Sequence, residues 1–332
     1  CGSGRIGSAN RNVDSPSLGS AVTFQQEAPL QASESQRTQY LSERYLEHSS
    51  LDELVQRLKD IRGNMLTFSS AGIPSNDFSS SVSWLIERAA HVEFELELRL
   101  ATSTAIALAS PEIFSPEYPK VKEAIRTWGE RSLPTSPYFV KYGKLADLKK
   151  LRDEGEIRLR PASDYSDPSL NLAIRDEELE TVVGLPVGTR LKMQCDNGEY
   201  QKLPIAGRIF SRKKSETDFY IYCTAAKYDH RLFDDFDSDA CLLVHEPKGF
   251  VRKIVEACKQ SHSDWLFAEK MVCYYDPLRL DRIDDIPLSK HFRFWYQHEY
   301  RIVLKPKGPI KRLEQINLSL GKVSDLCELI VL

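Results

Sequence analysis

Residues 138–168 read YFVKYGKLADLKKLRDEGEIRLRPASDYSDP, and this stretch decides the fold of the second half of the chain. Tyr138-Phe139-Val140-Lys141-Tyr142 is aromatic and β-branched and predicts a strand, with Gly143 as a small turn residue. Leu145, Leu148 and Leu151 then recur at helical spacing, and Gly155 stops that helix. Ile157-Arg158-Leu159-Arg160 alternates, which predicts a second strand whose arginines face away from its aliphatic side. A polar loop from Pro161 to Pro168 closes the unit. The result is a strand–helix–strand wedge that presents a strand end and a loop rich in hydrogen-bonding groups to one side. Asp164 and Asp167, set among Ser and Pro, are expected to make Asx turns.

Downstream, strands are predicted at Phe219–Cys223, Cys241–His245, Met271–Tyr275, Tyr300–Leu304 and Leu329–Leu332. A helix is predicted at 248–260, with Phe250, Ile254 and Cys258 on one face. Many short strands with few helices predict an α+β domain over 138–332, built on a mixed, largely antiparallel β-sheet. Upstream, Leu133-Pro134-Thr135-Ser136-Pro137 reads as a linker and marks a domain boundary. Before it, residues 38–132 read as a mostly helical N-terminal domain. Ser50 and Glu53 form a capping box, Leu51, Leu54, Val55, Leu58 and Ile61 follow on one face, and Gly63 is the expected stop. Residues 64–79 are expected to be a loop, and a second helix starts near Ser80. In 91–108, Val92, Phe94, Leu96, Leu98 and Leu100 alternate like a strand. The Glu, Leu, Arg and Ala around them favour a long helix, which is the expectation taken. A short helix is expected from Val121 to Arg131. Residues 1–37 lack apolar periodicity and read as a disordered leader.

The chain has 332 residues, and its 45 basic against 48 acidic side chains leave a net charge of −3. That balance excludes a strongly basic nucleic-acid coat. With 41% hydrophobic and 28% charged residues, most of the chain is able to bury a core. No apolar run approaches the ~20 residues of a membrane helix, and no signal-peptide pattern opens the chain, so a cytoplasmic protein is expected. The seven cysteines include no C-x-x-C pair, so no metal is predicted. Cys223, Cys241, Cys273 and Cys327 lie in apolar runs and are expected to be buried thiols in a reducing compartment.

Several polar groups could carry chemistry. Asp176, Glu177, Glu178 and Glu180 are expected to crowd a solvated helix start, where the dipole favours acids. Asp234, Asp235, Asp237 and Asp239 lack the Gly and distal Glu of a calcium loop. From Lys290 to Leu304 the chain packs aromatics, two histidines, Glu299 and Arg301 ahead of a strand. Gln297, Glu299 and Arg301 share one face at strand period, where Glu299 and Arg301 are either a structural ion pair or part of a site. The chain has no G-x-S-x-G, P-loop, G-x-G-x-x-G or H-E-x-x-H pattern. Basic residues cluster at Arg208, Arg212, Lys213 and Lys214, and again at Lys305, Lys307, Lys311 and Arg312. They are either solvated turns or contacts for a phosphate-rich partner.

Tyr142, Gly155, Asp167-Pro168, Phe219–Cys223, Lys290, Trp295, Glu299 and Arg301 together resemble a bacterial family known as domain of unknown function 2971, over residues 138–332. Ser166 stands where that pattern usually has Asn, and Gln297 where it has a further Glu. More distantly, Val140-Lys141-Tyr142-Gly143 with Asp147-Leu148 and Gly155 is similar to the opening of DNA-targeting ADP-ribosyltransferases. That resemblance implies NAD as substrate and Glu299 as the catalytic carboxylate. It also implies Lys141 and Tyr142 as nucleotide contacts, Arg158 or Arg160 on the pyrophosphate, and Thr224 or Tyr222 as the middle hydroxyl. Lys141 stands where the family has His. The implied role is a toxin or phage-defence effector, with a protein or nucleic-acid acceptor. Two other readings stay open. One is a non-catalytic ligand- or protein-binding module using Trp295 to Arg301 and the Asp167 loop. The other is a metal-dependent nuclease using Asp164, Asp167 and Glu299. The helical N-terminal region is expected to serve association.

Overall fold

Ser50 caps the helix Leu51–Met65: its hydroxyl accepts from the Glu53 amide, and the Glu53 carboxylate accepts from the Ser50 amide. The helix runs through Gly63, the expected stop, to Met65. Two residues of added helix bury Asn64 and Met65, which outweighs the backbone freedom lost at one glycine. The computed structural model describes residues 34–99, 118–129, 131–185, 189–204, 207–279, 283 and 285–332. Among these, helix Glu34–Glu43 begins inside the stretch read as a leader, whose residues 1–33 lie outside the described residues.

The ambiguous segment is the long helix Ser83–Leu98, and its continuation over 100–108 lies outside the described residues. The alternation misleads because every residue from His91 to Leu96 is buried, acids included. A helix enclosed on most sides has no reason to show a 3.6-residue stripe. Glu95 tolerates this position because Tyr40, Arg44 and Arg99 all donate to it. The expected loop at 64–79 holds a small antiparallel hairpin, Leu66–Phe68 against Pro74–Asn76, too short to show a period.

The α+β expectation holds: N-terminal helices precede a largely antiparallel sheet of eight strands. Its main path runs Leu266–Met271, Glu299–Lys305, Tyr220–Ala225, Phe139–Gly143, Ala240–Val244, Cys327–Val331. Period-2 alternation sorts its two faces. Phe139, Tyr222, Leu242 and Ile302 face helix Pro247–Ser261, which brings Phe250, Ile254 and Cys258. Val140, Tyr142, Cys241 and Ile330 face Trp128 of helix Pro119–Trp128 and the Leu232-Phe233 turn. Of the Asp234–Asp239 acids, Asp235 pairs with Arg231 and Asp237 with Lys120 and Lys144, while the other two hold helix starts. Asp234 accepts from the Lys120 and Val121 amides at 3.1 and 3.0 Å, and Asp239 accepts from the Leu145 amide at 2.5 Å. Cys241 and Cys327 are buried as expected, but Cys273 is exposed, because its three-residue strand Cys273–Tyr275 lies outside the main sheet.

One irregularity in the sheet positions the site. Strand Tyr220–Ala225 is paired along its whole length with Glu299–Lys305, from Ala225 opposite Glu299 to Tyr220 opposite Leu304. Its other edge is shared by two strands. Phe139–Gly143 takes one end, with Val140 opposite Ala225. Glu156–Pro161 takes the other, with Arg160 opposite Ile221 and Pro161 opposite Tyr220. Between them the sheet is split beside Tyr222, Cys223 and Thr224. The wedge predicted from residues 138–168 forms the two lips of this split. Helix Leu145–Glu154 joins them and ends at Gly155, whose φ is +72°. A Cβ there would lie 2.0 Å from the Gly321 carbonyl oxygen, so glycine is required twice over.

The helical N-terminal part is pinned to the segment that leads into Glu299. Asn64 donates to the Phe292 carbonyl at 3.0 Å and accepts from the Tyr296 amide at 2.9 Å, holding the 3₁₀ turn Phe292–Gln297 from both sides. Arg57 forks onto both oxygens of Asp276 at 2.9 and 2.6 Å, and Arg88 joins at 2.7 Å. Trp84 meets Trp295 edge to face, ring centroids 5.7 Å apart.

Candidate functional site: a cavity at the split in the sheet

The split opens into a cavity of about 230 Å³ walled by Lys141, Tyr142, Arg160, Tyr165, Thr224 and Glu299, among others. A second chamber of about 430 Å³ shares Lys141, Tyr142, Arg160 and Tyr165 and adds Arg158, Tyr222, Gln315 and Asn317. The two strand lips therefore bring their polar groups to one place, and the 161–168 loop adds Tyr165. The loop is held there by Asp218, 1% exposed. Its carboxylate accepts from the Ser163 amide and hydroxyl at 3.1 and 2.7 Å and from the Phe219 and Leu313 amides at 2.9 Å each.

One wall is a closed ion cluster. Glu299, 4% exposed, accepts from Arg301 Nε at 2.6 Å on one oxygen and from Lys290 Nζ at 2.7 Å on the other. Arg301 turns its Nη2 to Glu178 at 2.6 Å, and Lys290 stands 3.8 Å from the same Glu178 oxygen. Gln297 accepts from Lys290 at 3.2 Å and ties itself to the Ala173 carbonyl at 2.7 Å. Two acids and two cations thus neutralise each other. Burial pushes Glu299 up, but Arg301 and Lys290 outweigh it and hold the carboxyl well below the usual range. For Glu178, burial wins and the carboxyl is raised despite the same cations. Cys223, expected to be buried, is half-buried, and loss of solvent pushes its thiol up.

The opposite wall is built differently. Lys141 donates to the Cys223 carbonyl at 2.8 Å, a strand carbonyl freed by the split, and lies 4.6 Å from the Tyr222 ring centroid. Among the described residues it has no carboxylate partner. Burial pushes its amine below the ordinary lysine value. Arg160 stands 6.0 Å over the Tyr165 ring, and its buried Nε has no partner among the described residues, nor has the buried Tyr222 hydroxyl. These groups leave positive charge and donors lining the cleft with no carboxylate in ion-pair contact, Glu299 acting on Lys141 and Asp167 on Arg160 only from farther off.

Of the residues singled out in the sequence, Lys141, Tyr142, Arg160, Thr224 and Glu299 converge on the first cavity, and Arg158 joins through the second. Asp164, Asp167, Trp295 and Arg301 line neither chamber. Asp167 makes the expected Asx turn, accepting from the Ser169 amide at 2.8 Å. Trp295 packs on Trp84 and His298 at the junction with the N-terminal helices. Arg301, 0% exposed, sits behind Glu299 as its partner. Glu178 corrects the reading of the acidic run. No helix starts there; strand Glu180–Gly184 follows, and Glu178 is buried at 4%. A run of acids carries no signal that one of them has a buried arginine as partner. Tyr165 and Cys223 were also missed as lining residues, since neither belongs to a recognisable pattern.

Among the described residues no group of three or more His, Cys, Asp or Glu stands together to hold a metal ion, and no helix is long and apolar enough to cross a membrane. The chain matches no family model, no curated protein and no solved structure.

Proposed function

We propose that the split cavity binds a phosphate-bearing nucleotide, with NAD as the member of that class to which the distant transferase resemblance points. The observation that carries this reading is the pair Lys141 and Arg160, two cations with no carboxylate in ion-pair contact, which line both chambers. A pyrophosphate supplies the missing negative charge, and the fork of Arg160 matches its oxygens. Tyr142, Tyr165 and Phe236 offer flat apolar walls for a ring. Each Glu299 oxygen, already holding one cation, keeps a lone pair that accepts a ribose hydroxyl.

A second reading is ADP-ribosyl transfer, favoured by Glu299 standing on the same wall as Lys141 and Thr224. In that reaction the bond from ribose C1′ to the nicotinamide nitrogen breaks, and nicotinamide leaves with the electron pair. An acceptor group then bonds C1′ as it gives up its proton. Glu299 would orient the ribose and steady the positive centre. Its ion pairs with Lys290 and Arg301 weigh the other way, since they spend most of the carboxylate's charge and make it a poor proton acceptor. An effector role as toxin or in phage defence goes with this second reading only. A nuclease built from Asp164, Asp167 and Glu299 draws no support, because the two aspartates do not share the cavity with Glu299.

Calorimetry with NAD, ADP-ribose and AMP tests binding, and nicotinamide release tests transfer. The binding reading expects affinity for the phosphate-bearing ligands that Lys141→Met removes. The transfer reading expects release that falls by about 10²–10³-fold in Glu299→Gln, the range for one lost electrostatic stabiliser. Binding without release in either protein leaves the recognition module standing and sinks the enzyme. Failure of all three ligands to bind sinks both.

A further inference from the structure

The two basic clusters of the sequence, about ninety positions apart, lie on one groove. Lys213 and Lys214 end strand Phe210–Lys214, Lys305 ends strand Glu299–Lys305, and Lys307 follows it. All four line a groove of about 650 Å³ away from the split cavity. A specific set of hydrogen bonds brings the segments together. The Asp218 amide donates to the Ile310 carbonyl at 2.7 Å, the Ile310 amide donates to the Thr217 hydroxyl at 3.0 Å, and that hydroxyl lies 3.2 Å from the Gly308 carbonyl. The lining acids are Glu216 and Asp285, so four lysines face two carboxylates. None of the four lysines makes an ion pair among the described residues, and only Lys213 has a hydrogen bond, to the Ile283 carbonyl at 3.1 Å.

We infer that this groove binds a nucleic-acid backbone, independently of the split cavity. Four point charges without ion-pair partners, on a chain of net charge −3, form a local positive field that a string of phosphates satisfies. Lysine, in place of arginine, suits phosphate contact without reading of bases. The lining has no aromatic ring, so it lacks both a stacking platform for bases and the Tyr or Trp anchors of a tight protein interface. Its concave shape excludes a flat anionic bilayer. The partner that fits is a nucleic-acid backbone held by its phosphates, without sequence preference.

Fluorescence anisotropy of the full chain with a labelled single-stranded oligonucleotide of mixed sequence tests this. With four phosphate contacts, affinity falls about 50-fold between 50 and 200 mM salt, and with two contacts about 7-fold. Lys305→Gln/Lys307→Gln should therefore flatten the salt dependence from the first figure to the second, with its circular dichroism and its split-cavity ligand binding unchanged. Oligonucleotides of different sequence should bind alike. No binding at 50 mM salt, or an unchanged slope in the double variant, would overturn the proposal. Stronger binding of polyglutamate or of phosphatidylserine vesicles than of the oligonucleotide would overturn it too.

Discussion

Lys290 and Lys141 both stand on the wall of one cavity, the first buried and the second half-buried, and the fold treats them in opposite ways. Lys290 is enclosed with Glu299, Glu178 and Gln297, its charge cancelled within hydrogen-bond reach. Lys141 has a backbone carbonyl and the face of a tyrosine in contact, and Glu299 acts on it only from beyond ion-pair distance. Burying a cation in a balanced cluster is tolerable, whereas burying one without an acid is a standing cost. A group of the first kind holds the structure together. A group of the second kind is kept at the expense of stability, which points to something outside the chain that completes it.

The sharpest break in this contrast is Lys290→Met. It leaves two buried carboxylates sharing a single arginine, and the expected loss is about 3–5 kcal/mol in urea unfolding. A loss below about 1 kcal/mol would mean that the cluster is not closed. Lys141→Met carries the opposite sign. It removes a half-buried charge that has no carboxylate in ion-pair contact, so the melting temperature should hold or rise while nucleotide affinity drops at least about tenfold, or ~1.4 kcal/mol. If Lys141→Met destabilises as Lys290→Met does, the two walls are alike and the binding proposal loses its basis.

The smallest effect is in pH. Because burial lowers the folded-state value of Lys141, the folded protein sheds this proton at a lower pH than the unfolded chain. Below the folded value the charge costs stability; the cost begins to fall as pH rises past that value and is gone only above the ordinary lysine value of the unfolded chain. On the alkaline side, then, stability relative to Lys141→Met should rise while affinity for an anionic nucleotide declines. Thermal melts and calorimetry over the same buffers check both, and parallel trends would contradict the assignment.

What the sequence shows of this site follows what can be local. The lips of the split are readable because Leu145, Leu148, Leu151 and Gly155 are near neighbours with clear periodicity. The pair Glu299 and Arg301 is readable because residues two apart on a strand share a face. Glu178 and Lys290 were harder to place, because the partner that gives each its meaning is distant in the chain. Glu178 in particular was expected in solvent. The helix over Val92 to Leu96 is legible from composition, against a strand-like alternation that has a related cause: burial around a whole helix erases the stripe from which helices are recognised. Trp295 was legible as unusual but not as a contact for Trp84, which needs the tertiary structure.

The grip of Asn64 on the turn at 292–297, with Arg57 and Arg88 on Asp276, has a practical consequence. The helices before the linker act as a retaining wall for the cavity. A fragment starting at residue 134 would strand a buried aspartate with neither arginine, bare one face of Trp295, and release the turn that feeds Glu299 into its strand. Cutting at the linker should yield an insoluble or ligand-blind product, so the helical portion is to be kept whenever binding or turnover is assayed.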